Sequence, residues 1–243
     1  MVGTFRGILG VFVLLVLAGC SAEYYIRAAY EEGRILWRRK PISILLAEDG
    51  LTPDVRSKLE MVLKLRSFAV ADLRLDVAGS YADYSYVDRP VLLHVLTAVP
   101  KTTLEPRTWW FPVVGRVPYK GYFVLSDARK EADSLAIQGY DTHIRSAGAF
   151  STLGWFDDPL LGRLLKLDRA SLADVVLHEL FHSTLFVRDS IRFNESVANF
   201  VGKRGAIDFF VRHYGAQGDE AKMARRAWQE ELEFSALMME LTR

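Results

Sequence analysis

The stretch Ser171-Leu172-Ala173-Asp174-Val175-Val176-Leu177-His178-Glu179-Leu180-Phe181-His182-Ser183-Thr184-Leu185-Phe186-Val187 contains the pattern HExxH at residues 178–182. No Gly or Pro interrupts it, and it is predicted to be one helix. Ser171 is a suitable N-cap, and Asp174 three residues on makes a start like a capping box. Residues four apart share a helix face, so His178 and His182 project together and can reach one cation. Glu179 lies about 100° round the helix, beside them rather than behind them. Leu172, Val175, Val176, Leu177, Leu180, Phe181, Leu185 and Phe186 fill nearly every other side, and a helix apolar all round is buried. Two imidazoles and a carboxylate buried together need a partner, because unpaired burial of each costs several kcal/mol. Bound Zn²⁺ satisfies all three.

A structural zinc site is closed by four protein ligands; a catalytic one uses three and keeps a position for water. Two histidines therefore need a third ligand. After the polar connection Arg188-Asp189-Ser190 comes Phe193-Asn194-Glu195-Ser196-Val197-Ala198-Asn199-Phe200, readable as a second helix. Glu195 lies 13 residues past His182, enough for a turn and an antiparallel return that bring its carboxylate to the metal. The competing reading of Glu195 is a solvated helix glutamate. Asn199, four residues on, shares its face and is suited to hydrogen-bond the outer nitrogen of a ligand histidine.

The remaining chain supplies a frame for this motif. Of 243 residues, 50% are hydrophobic and 25% charged, which excludes a disordered chain. With 31 basic and 30 acidic residues, nothing favours nucleic-acid binding. The single cysteine excludes a disulfide-stapled domain. Helices are predicted over 23–39, closed by Pro41, over 53–74, starting at Pro53, and over 127–138. Val91–Val99, Trp109–Val114 and Gly121–Leu125 read as strands, the last two around a turn at Pro118. Residues 147–159 read as an ordered loop, and the chain from Ser171 as mostly helical. A small sheet followed by a helical half gives the class α+β. With no repeat and no linker, residues 20–243 read as one domain. His94, in an apolar strand, reads as a core residue, and His213 as a residue near a helix end, where it suits the C-terminal dipole. Arg38-Arg39-Lys40 reads as a solvated face. Residues 219–243, with Met223, Trp228, Leu232, Phe234, Leu237 and Met238, read as an amphipathic helix packing on the domain.

The N-terminus has its own logic. Arg6 precedes an apolar run from Ile8 to Gly19, too short for the roughly 20 residues of a membrane span. The run fits the core of a secretory signal, residues 1–19. Its end, Leu17-Ala18-Gly19-Cys20, resembles a bacterial lipoprotein signal. That resemblance implies cleavage before Cys20, lipid on its sulfur, and a membrane partner through that lipid. Ser21 rather than Asp at the next position implies the outer membrane, facing the periplasm. Removing residues 1–19 takes away only Arg6 and leaves equal numbers of basic and acidic residues. A lipid-blocked Cys20 is neither a zinc ligand nor a nucleophile.

HExxH with a downstream Asn-Glu helix looks like the zincin metallopeptidases whose third ligand is glutamate. More closely, Leu104–Trp109, Phe111-Pro112, Pro118–Phe123, Ser151–Pro159 and Phe193–Ser196 resemble the bacterial family of predicted zinc aminopeptidases. The likeness extends from about Tyr24 to Phe210 and departs at Trp110, where the pattern leads one to expect Cys. It implies a zincin-like fold and a zinc-dependent peptidase acting on peptide substrates. His178, His182 and Glu195 are then the zinc ligands and Glu179 the general base. Tyr119, Tyr122, His143 and Arg107 are candidate oxyanion donors, and Glu105, Asp157 and Asp158 candidate holders of a substrate ammonium. The alternative from another class is a non-catalytic, zinc-containing envelope lipoprotein that binds a peptide or protein partner. The intact Glu179 speaks against it, since a structural zinc needs no general base.

Overall fold

A computed structural model describes residues 22–87, 91–111, 114–147 and 157–241. The signal segment, Cys20 and residues 148–156 of the predicted loop lie outside the described residues. The described chain is mixed α and β and divides into two compact units. Among the described residues, the first draws on 22–37, 91–107 and 118–147, the second on 38–87, 108–111, 114–117 and 157–241.

In the first unit, helix α1 (Ala22–Trp37) accompanies a three-stranded antiparallel sheet. Its centre is Leu93–Pro100, flanked by Lys120–Tyr122 and by Tyr140–Ala147. The central strand buries Val95, Leu96 and Ala98, as a β-branched run should. His94 is only part-buried, so it is not the core residue its setting suggested. Tyr140–Ala147 was not anticipated. Its alternate residues are half-buried and exposed, and pairing with the central strand holds it there. Helix Leu125–Ile137 packs on both of these strands.

The second unit begins with strand Arg39–Pro41 and the short helix Ile42–Leu46. The basic run 38–40 is therefore partly strand, with Arg39 facing Asp83 at 3.5 Å and Lys40 paired with Glu48. Helix Pro53–Ala71 starts as predicted, with Pro53 in its first turn and Thr52 Oγ1 accepting from Val55 N–H. Strand Asp83–Ser85 pairs antiparallel with Arg39–Pro41 and parallel with Leu160–Leu161. The predicted strand Trp109–Val114 is a tighter hairpin, Trp109–Phe111 against Gly115–Val117, with Gly115 at φ 78° in the left-handed region.

Three helices follow, here α2 (Arg169–Thr184), α3 (Ile191–Tyr214) and α4 (Asp219–Leu241). Ser171 is not the N-cap of α2. Asp168 is: its carboxylate accepts from Ser171 N–H at 2.9 Å and from the Ser171 hydroxyl at 2.6 Å. A charged acceptor placed one turn earlier satisfies both groups and starts the helix at Arg169. The helix also stops short of Val187, because Leu185 is extended, at φ −143° and ψ 119°. Nor is α2 buried on every side. Leu172, Ala173, Val176, Leu177 and Leu180 are buried, but Ser171, Asp174, Val175, His178 and Glu179 form a half-exposed face. Helix α4 buries side chains in its first half. Ala221 and Ala224 are buried and Trp228 meets Phe200 edge-on, whereas Met223, Leu232, Phe234, Leu237 and Met238 are exposed. Two small residues and Trp228, rather than the other large apolar residues, make its contact. Among the described residues no helix is long and apolar enough to cross a membrane.

Helices α2 and α3 run antiparallel and very close. Gly202 sets that distance: a Cβ there would lie 2.8 Å from the Asp174 carbonyl oxygen and 3.2 Å from the His178 Cβ. Gly205 similarly faces Leu177. Gly202→Ala gains about 1 kcal/mol of helix propensity. It must also move backbone, which costs about 1–3 kcal/mol when a tight interface is overfilled. Net destabilisation is expected in urea denaturation, together with weaker metal binding, because the two helices carry opposite parts of the site. An unchanged midpoint and unchanged metal affinity contradict the assignment.

Candidate metal centre

The last turns of α2 and the first turn of α3 converge. His178 and His182 bring their Nε2 atoms to 3.2 Å. Glu195 reaches across from α3, with Oε2 at 3.5 Å from His178 Nε2 and Oε1 at 3.6 Å from His182 Nε2. A four-coordinate ion with bonds of about 2.0–2.1 Å has ligand–ligand edges of about 3.3 Å, so these three donors fit one such ion. Among the described residues they form the one cluster of this kind. The proposed ligand set is therefore brought together from two helices.

Asn194 positions Glu195. It is fully buried, and its side chain makes both hydrogen bonds of a clamp, accepting from Val187 N–H and donating to Val187 C=O, each at 2.8 Å. This ties the connection after α2 to the start of α3. Asp189, with its backbone at φ 60°, accepts from Arg116 N–H at 2.6 Å and so fastens the 109–117 hairpin to the same connection. Arg188 lies over the Trp110 ring, 5.9 Å from its centre. Lys203 bridges Asp174 of α2 at 3.0 Å and Glu231 of α4 at 2.6 Å.

The protonation pattern favours a cation at this point. Burial works to lower the His178 pKa, but Glu195, Glu179 and Asp174 hold it above the ordinary value. Burial and the neighbouring His178 lower that of His182, against Glu195. Two imidazolium nitrogens cannot share a 3.2 Å contact, so at most one proton sits between the rings. The carboxylates that stabilise that proton also suit a metal ion. Glu179 is pushed from an ordinary 4.5 up to about 7, chiefly by burial. Glu195 and Asp158 add to that rise, and His178 opposes it.

Asn199 is not brought to the cluster. It is exposed on α3 and makes no hydrogen bond to either imidazole, and the buried His182 Nδ1 has no hydrogen-bond partner among the described residues. Arg107, Tyr119, Tyr122, His143 and Glu105 all belong to the first unit. Arg107 lies over the Tyr140 ring, His143 is exposed opposite Thr97, Tyr119 is half-buried, Tyr122 is buried and Glu105 is exposed. Asp157 and Asp158 belong to the second unit. Asp157 accepts from Gly79 N–H at 2.7 Å, while the buried Asp158 acts electrostatically on Glu179.

One residue was missed from sequence. Tyr81 is buried, its backbone is left-handed at φ 58°, and its N–H donates to Asp158 C=O at 2.7 Å. Burial, then Glu179, then Asp158 raise its pKa well above the ordinary value. Ala78-Gly79-Ser80-Tyr81 shows only a turn composition, which marks a bend and not a neighbour of Glu179. Its other restraints are visible only in three dimensions: Arg66 donates to the carbonyls of Ser80 at 2.6 Å and Ala78 at 2.8 Å.

Two antiparallel helices that present two imidazoles and a carboxylate to one point, with a part-buried carboxylate alongside, define a candidate metal centre with a built-in proton acceptor. The chain belongs to the family described as "Putative aminopeptidase", whose family model matches residues 23–243. Comparison with curated proteins returns no match, and comparison with solved structures returns none either.

Two outcomes follow from this geometry. Metal-free protein loses stability as pH rises from 4.5 to about 7, because the unfolded chain releases the Glu179 proton first. The loss is of the order of 3 kcal/mol, present in full above the folded-state value. Glu179→Gln removes that part of the slope; identical slopes for variant and wild type in urea denaturation of metal-free protein contradict it. Asn194→Ala strips partners from both polar groups of Val187 and lowers stability by about 1–3 kcal/mol. It also weakens metal binding by loosening Glu195, read by competition with a chromogenic chelator.

Proposed function

We propose that the chain is a zinc-dependent peptidase, an aminopeptidase with a zincin-like site, anchored by lipid on Cys20 in the outer membrane of a bacterial envelope and facing the periplasm. The observation that carries the hydrolytic reading is the convergence of His178, His182 and Glu195 beside the part-buried Glu179. Nitrogen and oxygen donors without cysteine suit zinc, and three donors leave a fourth position. When bound there, zinc supplies Lewis acidity, lowering the pKa of water toward about 7 and polarising a carbonyl.

The chain's own groups do the proton work. Glu179 takes a proton from water and hands it to the departing amine; a carboxylate whose pKa lies near neutrality is matched to both transfers. His178 and His182 stay neutral to offer their Nε2 lone pairs. The lowered pKa of His182 helps; the raised pKa of His178 reflects the acids that a cation would neutralise instead. The buried carboxylate of Asp158, acting on Glu179, is better placed by its electrostatics than the exposed Glu105 to attract a substrate ammonium. Lipid anchoring rests on the Leu17–Cys20 signal and the outer-membrane address on Ser21.

The purified full chain is expected to hold about one zinc per chain and to release the first residue from peptides with a free N-terminus. Chelator abolishes turnover and zinc restores it. Glu179→Gln keeps the metal and loses about 10²–10⁴-fold in kcat. A wild type that binds no zinc, or a Glu179→Gln variant with full activity, overturns this reading. Zinc bound without turnover of any peptide supports the non-catalytic lipoprotein instead.

A further inference from the structure

Helix α1 presents two unlike faces. At about 100° per residue, Ile26, Tyr30, Gly33 and Trp37 fall within about 60° of one another, and Ile35 falls on the opposite side. Ile35 is buried. Tyr24, on the same inner side, meets the Tyr122 ring edge-on at 5.5 Å, and Arg27, at the margin, pairs with Asp127 at 3.4 Å. These contacts seat α1 on the first unit. The outer stripe is the reverse. Ile26 is 60% exposed, Tyr30 64% and Trp37 91%. From Ile26 to Trp37 the stripe runs about 16 Å along the helix. A single exposed apolar residue needs no explanation, whereas a stripe at helical spacing, its largest side chain the most exposed, marks a contact surface.

Chain position and charge say what covers it. The apolar run from Ile8 to Gly19 precedes α1, and Ile26 comes seven residues after Gly19, a reach of at most about 25 Å. Whatever holds that run, or Cys20, in a bilayer therefore holds α1 at the bilayer surface. Within residues 24–37 the exposed ones are Ile26, Arg27, Ala29, Tyr30, Gly33 and Trp37, with no carboxylate among them. Glu31 and Glu32 stand half-buried toward the inner side, and Glu31 pairs with Arg34 at 3.3 Å. An apolar face edged by a cation and free of acids suits anionic headgroups above acyl chains. Trp and Tyr concentrate at that depth, where the ring is in lipid and its polar edge stays wet. Three side chains also offer well under the roughly 800 Å² that each partner gives to a stable protein interface. No described helix is long and apolar enough to cross a membrane, so α1 lies along the surface rather than through it.

We propose that the outer face of α1 is a membrane-docking surface, on which Ile26, Tyr30 and Trp37 enter the headgroup region of an anionic lipid bilayer. The contact rests on the membrane anchoring proposed above and adds a second, non-covalent attachment to it. Three side chains alone hold a lipid surface weakly. The tether makes their binding intramolecular, so the stripe stays engaged at a high effective concentration of lipid. One attachment leaves the first unit free to turn, and two fix which of its faces meets the bilayer.

The test is tryptophan fluorescence of the purified full chain reconstituted into vesicles of phosphatidylethanolamine and phosphatidylglycerol with brominated acyl chains. Brominated lipid is expected to quench the wild type, and Trp37→Phe to remove the larger part of that quenching. Ile26→Glu combined with Tyr30→Glu weakens the contact by about tenfold or more, because two apolar side chains leave the lipid, and restores most of the Trp37 emission. All three positions are exposed, so each variant keeps the melting temperature of the wild type. The mass of the purified chain reads lipid on Cys20 separately. Quenching that Trp37→Phe removes, in a chain without lipid on Cys20, upholds the docking surface and overturns the lipid anchor. A lipid-bearing chain whose quenching is absent, or is unchanged in Trp37→Phe, overturns the docking surface and leaves the anchor standing. A dimer in vesicle-free sedimentation that Ile26→Glu converts to monomer also overturns it, since a second copy then covers the stripe.

Discussion

The close approach of two antiparallel helices is the constraint on which the site depends. Packed helices ordinarily sit about 8–10 Å apart, the distance set by the side chains between them. Gly202 and Gly205 remove side chains at the contact with Asp174, His178 and Leu177. Only then can a glutamate on one helix reach two histidines on the other with donor separations of 3.2–3.6 Å. The supporting contacts hold this arrangement from several directions. Asn194 closes the connection between the helices, Asp189 pins a hairpin to that connection, and Lys203 ties both helices to α4.

The site is held at a cost in free energy. Glu179, Glu195 and Asp174 act on His178, while Glu195 and Asp158 add to a rise in the Glu179 pKa that burial chiefly causes. Without a cation, a proton on His178 or on Glu179 relieves part of it. A divalent ion relieves more, because it is attracted to every carboxylate and replaces the proton between the imidazoles. Metal binding and folding would then be linked, and the acids that destabilise the bare chain would strengthen its hold on an ion.

Sequence made the core of this site legible for a simple reason: the helix repeat alone fixes His178, Glu179 and His182 relative to one another. Glu195 was readable from the short connection and its 13-residue separation from His182, since only a tight return can follow. The errors lay where a choice depends on neighbours. Ser171 and Asp168 are both good caps, and the structure takes the one whose carboxylate serves two groups. Asn194 directly precedes Glu195 and Asn199 lies four residues on, but it is Asn194 that faces inward to the Val187 backbone. Strand Tyr140–Ala147 is polar enough to read as a loop and is held by its pairing. Tyr81 reaches the neighbourhood of Glu179 through a left-handed turn braced by Arg66, information carried by tertiary contacts and by no local pattern.

The departure of α2 from full burial bears directly on what the site can do. A helix sealed on every side suits a structural ion, whose fourth ligand is protein. Here exposure is graded across the donors. The His182 side chain is 4% exposed, that of His178 16% and that of Glu195 42%. Solvent therefore reaches the cluster from the side of Glu195 and His178, and not from behind His182. Glu179 follows His178 on the half-exposed face of the same helix, so a water arriving from that side meets a proton acceptor whose pKa lies near neutrality. The apolar faces of α2 remain packed, which fixes the imidazoles while one flank stays accessible. A one-sided opening beside a carboxylate whose pKa lies near neutrality is what hydrolysis needs and what a purely structural site has no use for.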